Sequence, residues 1–151
     1  GPQIMKGYFK KPEETAACIR DGWLYTGDVG VCDEEGYLSI KSRIKNLIKY
    51  KGHSVFPAEI EAYLMEHPAI MDAAVIGIPD PDVGENLKAF VVIKDEFKGK
   101  VTEQEIIDWM KERVAAYKYP RIVEFIPEMP KSAVGKVLHR MLREGKFDIS
   151  D

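Results

Sequence analysis

The chain has 151 residues, enough for one modest domain or for one domain with part of another. Hydrophobic residues make up 45%, which supports a packed core and argues against disorder. Net charge is −3, but unevenly spread: residues 41–53 carry five Lys/Arg and no acid, residues 117–146 carry seven Lys/Arg and three Glu, and the remainder holds ten basic against 22 acidic residues. An acidic protein with two basic segments points to a local anion site, and away from nucleic acid as a partner. No apolar run approaches the roughly 20 residues that span a bilayer, and no basic-then-apolar signal pattern opens the chain. Cys18 and Cys32 lack metal-ligand spacing, so a reduced, cytoplasmic setting is the simplest expectation.

In chain order, residues 1–8 read as a loop. Pro12 fits the first turn of a short helix, with Glu13 and Glu14 at its positive end and a stop near Asp21-Gly22. Trp23 to Tyr25 start a strand, and Thr26-Gly27-Asp28 is a turn. Val29 to Cys32 and Tyr37 to Ile40 flank a hairpin at Asp33-Glu34-Glu35-Gly36. Leu47 to Tyr50 reads as a short strand. Pro57 opens a helix to about His67, with Ile60 and Leu64 on one face and Pro68 as terminator. Met71 to Ile78 and Leu87 to Ile93 are strands that pair around Val83-Gly84. Thr102 and Glu105 form a capping box for a helix to about Ala116, burying Ile106, Ile107, Met110 and Val114. Ile122 to Ile126 is a third strand, and a last helix covers about Leu138 to Glu144.

Four stretches carry chemistry. Tyr25-Thr26-Gly27-Asp28 puts a carboxylate on a tight turn, where it can accept two hydrogen bonds from ribose hydroxyls. Taken alone, a turn aspartate holding its own backbone is the better reading. Arg43, Lys45, Lys49 and Lys51 form a basic connector leading through Gly52 to Pro57. Tyr117-Lys118-Tyr119-Pro120-Arg121 interleaves rings with cations, which suits a base and a phosphate. Without context it reads as a helix-terminating surface loop. Pro130 to Val137 places Lys136 on a glycine-containing loop before a helix. It lacks the spacing of a Walker loop, yet a lysine there can deliver a point charge to a phosphate. His53, His67 and His139 read as incidental, and Met65, Met71, Met110 and Met141 as core or interface filler.

Taken together and in this order, these stretches resemble the C-terminal part of the adenylate-forming superfamily. That superfamily includes acyl-CoA synthetases, luciferase-like enzymes and the adenylation domains of peptide synthetases. The likeness covers essentially the whole chain, through residues 1–8, Trp23 to Asp28, Arg43 to Glu61, Val75 to Glu85 and Met129 to Arg140. It implies an α+β fold: a small lid domain with a three-stranded sheet flanked by helices, preceded by a β-hairpin remnant of a large N-terminal domain. Residues 1–41 are expected to be the end of that large domain, 42–46 a hinge and 47–151 the lid.

The resemblance also implies roles. A carboxylic acid and Mg-ATP give an acyl-adenylate, and coenzyme A then takes the acyl group. Lys136 matches the adenylation lysine, and Lys45 stands at the hinge. Asp28 binds the ribose and Arg43 supports the nucleotide. Lys49 and Gly52 lie on the face used for thioester formation, and Tyr117, Lys118 and Arg121 match the region that meets CoA. Tyr119 stands where some relatives carry a basic residue. ATP, Mg2+ and coenzyme A are the expected ligands, with no metal site built from this chain's own side chains. The Val55 to Glu61 version of the motif looks more like acyl-CoA and aryl-CoA ligases than peptide-synthetase domains, and a fatty-acid–CoA ligase is the leading expectation. A domain loading a carrier protein, or a non-catalytic CoA- or nucleotide-binding module, are the alternatives. The chain by itself is expected to be an inactive fragment, whose partners are its own large N-terminal domain or, when isolated, another copy.

Overall fold

The computed structural model describes residues 1–145, which divide into two compact units, the first from Gly1 to Lys45 and the second from Asn46 onward.

The first unit begins with α1 (Pro12–Cys18), which carries Pro at its start and two acids in its first turn. The helix stops three residues short of the expected Asp21-Gly22. Those two residues have φ of 50° and 79°, and they form a two-residue left-handed turn. The turn folds β1 (Ile19–Arg20) onto β2 (Trp23–Leu24), with Arg20 opposite Trp23. An Asp-Gly pair is a strong hairpin signal, and here it ends the helix by taking Ile19 and Arg20 into a strand. A second hairpin pairs β3 (Asp28–Cys32) with β4 (Leu38–Arg43). Its loop is set by Asp33, whose Oδ1 accepts from the Glu35 and Tyr37 N–H groups at 3.1 and 2.8 Å. Among the described residues, none from 1 to 45 is buried. Phe9, Trp23, Tyr37 and Leu38 are 86, 71, 69 and 67% exposed, so this unit has no core of its own.

The second unit is built on a five-stranded sheet. Its spine is β7 (Ile70–Asp80) paired antiparallel with β8 (Gly84–Ile93), from Ile70 opposite Ile93 to Asp80 opposite Gly84. β9 (Ile122–Phe125) joins β8 in parallel, and these are the three expected strands. Two more come from the connector: β5 (Ile48–Tyr50) touches β8 at Gly84 and turns back as β6 (His53–Val55). The turn between them, Lys51 and Gly52, has φ of 47° and 80°, a left-handed pair that favours glycine at its second position.

Alternate residues of β7 and β8 enter two cores. Ala73, Val75, Leu87, Ala89, Val91 and Ile93 meet Ile60 and Leu64 of α2 (Pro57–Met65) and Ile106 and Met110 of α3 (Glu103–Lys111). Ala74, Ile76, Phe90 and Val92 meet Ile126, Met129 and Leu142, the last from α4 (His139–Glu144). The capping box forms as expected: Thr102 accepts from the Glu105 N–H at 3.2 Å, and Glu105 accepts from the Thr102 N–H at 2.7 Å. α3 ends at Lys111, short of Ala116, because its last amides tighten: the Arg113 N–H donates back to Met110. Met65 and Met71 lie exposed, whereas Met110 is buried.

β7 is an edge strand, and its outward amides are blunted. The Val75 N–H donates to Glu61 Oε1 at 2.9 Å, the Ala73 N–H to Asp72 Oδ1 at 2.9 Å, and Pro79 has no N–H to offer.

His67 closes α2. Its Nδ1 accepts from the Ala69 N–H at 3.2 Å, and its ring meets Trp109 edge-on at 5.1 Å. Burial first, then the Arg113 and Lys94 cations against an opposing Glu105, hold its pKa below the usual 6.5. The unfolded chain therefore binds this proton more readily than the fold does. The contribution is full above about pH 6.5 and is lost as the pH falls toward the folded value. His67→Asn keeps an acceptor for the Ala69 N–H and removes the titration. We expect urea unfolding of wild type to lose stability as the pH falls below about 6.5, and the variant to lose measurably less.

Candidate functional site

The expected site residues fall into three groups. In the first unit, Asp28 and Arg43 begin and end the second hairpin and stand opposite one another. Arg43 Nε lies 3.0 Å from Asp28 Oδ1. The Asp28 N–H donates to Thr26 Oγ1 at 3.1 Å, and the Gly27 carbonyl accepts from the Ile44 N–H at 2.8 Å. The carboxylate therefore stands at a braced turn, with one oxygen on Arg43. Next along the chain, Lys45 lies exposed in a single 3₁₀ turn, Ile44–Asn46, where the two units meet in sequence.

The second group surrounds the β5–β6 turn. Tyr50, Lys51, His53, Ala116, Tyr117, Tyr119 and Arg121 line an open cleft of about 300 Å3. His53, read as incidental in the sequence, stacks on Tyr117 with ring centroids 4.3 Å apart and planes inclined by 17°. Arg121 lies over the Tyr119 ring at 3.5 Å and the Tyr50 ring at 4.7 Å. It donates to the Tyr50 hydroxyl at 3.1 Å, to the Ala116 carbonyl at 2.5 Å and to the Tyr119 carbonyl. Arg121 thus builds the wall of the cleft, with several donors turned onto its own chain. Lys118 points elsewhere, with Nζ 2.5 Å from Glu59 Oε1. That hydrogen bond is the main reason its pKa is raised. Lys49 also leaves the cleft: its ammonium donates to Ser54 Oγ at 2.5 Å, and its N–H to Glu85 Oε2 at 2.7 Å. A Cβ at Gly52 would meet nothing within 4 Å, so the backbone there is open to an approaching ligand.

The third group is Lys136 and its loop. Lys131 bridges to Val137, and the Gly135 N–H donates to Ser132 O at 2.8 Å. The Lys136 N–H donates to Ser132 Oγ at 3.2 Å, and its carbonyl accepts from the Ser132 N–H at 2.8 Å. The backbone of Lys136 is held while its ammonium carries no ion pair or hydrogen bond among the described residues. Among the described residues, such a group is an unneutralised charge on a held backbone.

The second and third groups are rooted in cores on opposite faces of the sheet. Tyr50, Tyr117 and Tyr119 pack into the core beneath α2 and α3. Val137, next to Lys136, packs with Met129 and Leu142 into the other. Tyr50 and His53 carry no motif that marks them; strand alternation is what places them beside Lys51. Among the described residues, no three His, Cys, Asp or Glu side chains gather to hold an ion.

Comparison with known proteins gives the family. The AMP-binding enzyme C-terminal domain matches residues 59–136. A long-chain-fatty-acid–CoA ligase of Bacillus subtilis is 51% identical over 145 residues, 95% of this chain and 25% of that protein. A 4-coumarate–CoA ligase-like protein of Oryza sativa is 47% identical over 144 residues, 94% of this chain and 26% of that one. Among solved structures, ATP-bound MatB from Rhodopseudomonas palustris superposes with a TM-score of 0.88 at 37% identity, over 96% of this chain and 29% of that chain. This chain spans about a quarter of the length of the curated relatives it matches. It belongs to the AMP-binding enzyme C-terminal domain family.

Proposed function

We propose that this chain is the hinge and lid of an AMP-forming acyl-CoA synthetase acting in the cytoplasm on a carboxylic acid, with a fatty acid as the preferred class. The carrying observation is the pairing of an unneutralised Lys136 rooted in one core with an aromatic, basic cleft rooted in the other.

In the first step a carboxylate oxygen attacks the α-phosphorus of ATP, and pyrophosphate leaves. Lys136 places its ammonium between the carboxylate and the α-phosphate, where negative charge builds. Asp28 accepts from the ribose hydroxyls, and Arg43 supports the nucleotide from the opposite strand. In the second step the CoA sulfur attacks the acyl carbon and AMP leaves with its phosphate. The cleft of Tyr50, His53, Tyr117, Tyr119 and Arg121 offers flat rings to the CoA nucleotide, and Lys51 offers charge beside them. Lys118 joins them only by leaving its pair with Glu59. Gly52 lets the pantetheine arm pass close to the backbone. Lys49 lies on that same strand, and Lys45 is the pivot between the two presentations. The large N-terminal domain is the partner that covers Trp23, Tyr37 and Leu38 and completes the site.

Pyrophosphate release by the full-length protein, with Mg-ATP and a panel of short, medium, long and aromatic acids, tests this reading. Release should depend on one acid class, and thioester should appear only with CoA. Release without thioester would point to a carrier-loading enzyme.

Lys136→Ala should lower the adenylation half-reaction by about a hundredfold or more, and should spare thioester formation from supplied acyl-adenylate. Equal loss in both would refute that role. Lys45→Pro should act differently. A 3₁₀ turn already has φ near that of proline, so the substitution fits one arrangement and resists leaving it. Single-turnover kinetics should then show the thioester step slowed more than adenylation.

A further inference from the structure

The hairpin that presents Lys136 is held at both roots by carboxylates from other elements. At its entry, Lys131 Nζ lies 2.5 Å from Asp72 Oδ2. At its exit, His139 Nε2 lies 3.5 Å from Glu61 Oε1. Both acids also cap outward amides of β7, so the hairpin is hung on the blunted edge of the sheet.

Asp72 is the fixed member of its pair. It stands beside the register shift between Ile70 and Asp72, and its other oxygen accepts from the Ala73 N–H at 2.9 Å. Its side chain is 22% exposed, against 44% for Lys131. A carboxylate already aligned by its own strand draws the longer, freer lysine to it. Lys131 in turn pairs with Val137 across the hairpin, one residue beyond Lys136. The turn between them is tied by Ser132 to both the N–H and the carbonyl of Lys136. Wherever Lys131 is fixed, the backbone of Lys136 follows.

We propose that Asp72 is a positioning residue for Lys136, acting through Lys131 to set where the ammonium is delivered. The proposal rests on reading Lys136 as the adenylation lysine. A partly exposed ion pair adds little to global stability. Its loss therefore shifts the hairpin without unfolding the domain, and misplacing a charge by about 1 Å can cost up to a hundredfold in rate.

The test uses the full-length enzyme and acid-dependent ATP–pyrophosphate exchange. Asp72→Asn retains the acceptor for the Ala73 N–H and removes the charge that Lys131 meets. It should lower kcat for exchange by about tenfold, with KM for ATP and acid within about twofold. Thioester formation from supplied acyl-adenylate and the thermal midpoint should stay at wild-type values. Lys131→Met should reproduce the loss, Lys131→Arg should largely restore it, and Asp72→Asn with Lys131→Met should lose no more than either alone. Lys136→Ala is the control for the underlying reading: if it leaves exchange intact, the role of Lys136 falls. If Lys136→Ala abolishes exchange while Asp72→Asn keeps wild-type kcat, the positioning proposal is overturned. Equal loss in both half-reactions for Asp72→Asn would overturn it as well.

Discussion

Strands β7 and β8 run antiparallel from Ile70 opposite Ile93 to Asp80 opposite Gly84, and they bury side chains on both faces. A strand pair that is apolar on both sides must be covered on both sides. α2 and α3 cover one face and α4 the other. Each fully buried Val, Leu or Ile is worth about 1.5–3 kcal/mol, whereas an exposed ion pair is worth about 1 kcal/mol or less. Packing therefore decides the architecture, and the charges only orient what packing has placed. The two-sided core then has a chemical consequence. Segments that leave α3 and segments that enter α4 emerge from different faces, and with them the aromatic cleft and the Lys136 hairpin.

Several of the acids serve backbone donors. Glu85 receives the Lys49 N–H, and Glu61 receives the Val75 N–H. Asp80 receives the N–H groups of Asp82 and Val83, and Asp33 those of Glu35 and Tyr37. Each acid satisfies a backbone donor at a strand edge or turn, where no strand is available to do so. Glu59 neutralises Lys118, yet no described acid reaches the Lys136 ammonium. Among the described residues, a protein of net charge −3 thus leaves the Lys136 cation bare.

Local signals were legible where one residue type has one physical use. Thr102 and Glu105 read as a capping box because the two side chains satisfy each other's backbone donors, and they do so. The β7–β8 hairpin followed from two long apolar runs with turn residues between. Asp21-Gly22 misled because the same pair serves as a helix stop or as a left-handed hairpin turn. Only the pairing of Ile19 with Leu24 decides between them. β5 was legible as the run Leu47 to Tyr50, but its return as β6 over His53–Val55 was not, because three residues leave little pattern to read. The motifs offered candidate site residues, but not the partners those side chains take in the fold. Nothing in the run from Tyr117 to Arg121 says that Lys118 turns to Glu59, or that Arg121 is clasped between two tyrosines. The Lys118–Glu59 and Arg121–Tyr50 contacts join residues 59 and 71 positions apart, where local pattern carries no information.

The division of the chain after Lys45 has a thermodynamic reading. The second unit carries every buried side chain among the described residues, and its sheet closes over them. The first has hairpins set by Asp33 and by Asp21-Gly22, but no buried side chain. Two-stranded hairpins without a covered face are marginal in water, so the first unit depends on surface supplied by something else. On the proposed reading that surface is the large domain. The exposed Trp23, Tyr37 and Leu38 then belong to that body, and the single 3₁₀ turn from Ile44 to Asn46 joins two structures with separate sources of stability. A joint of this kind can change its dihedrals without breaking a core. On the proposed reading, that property is what lets one lid serve two successive reactions.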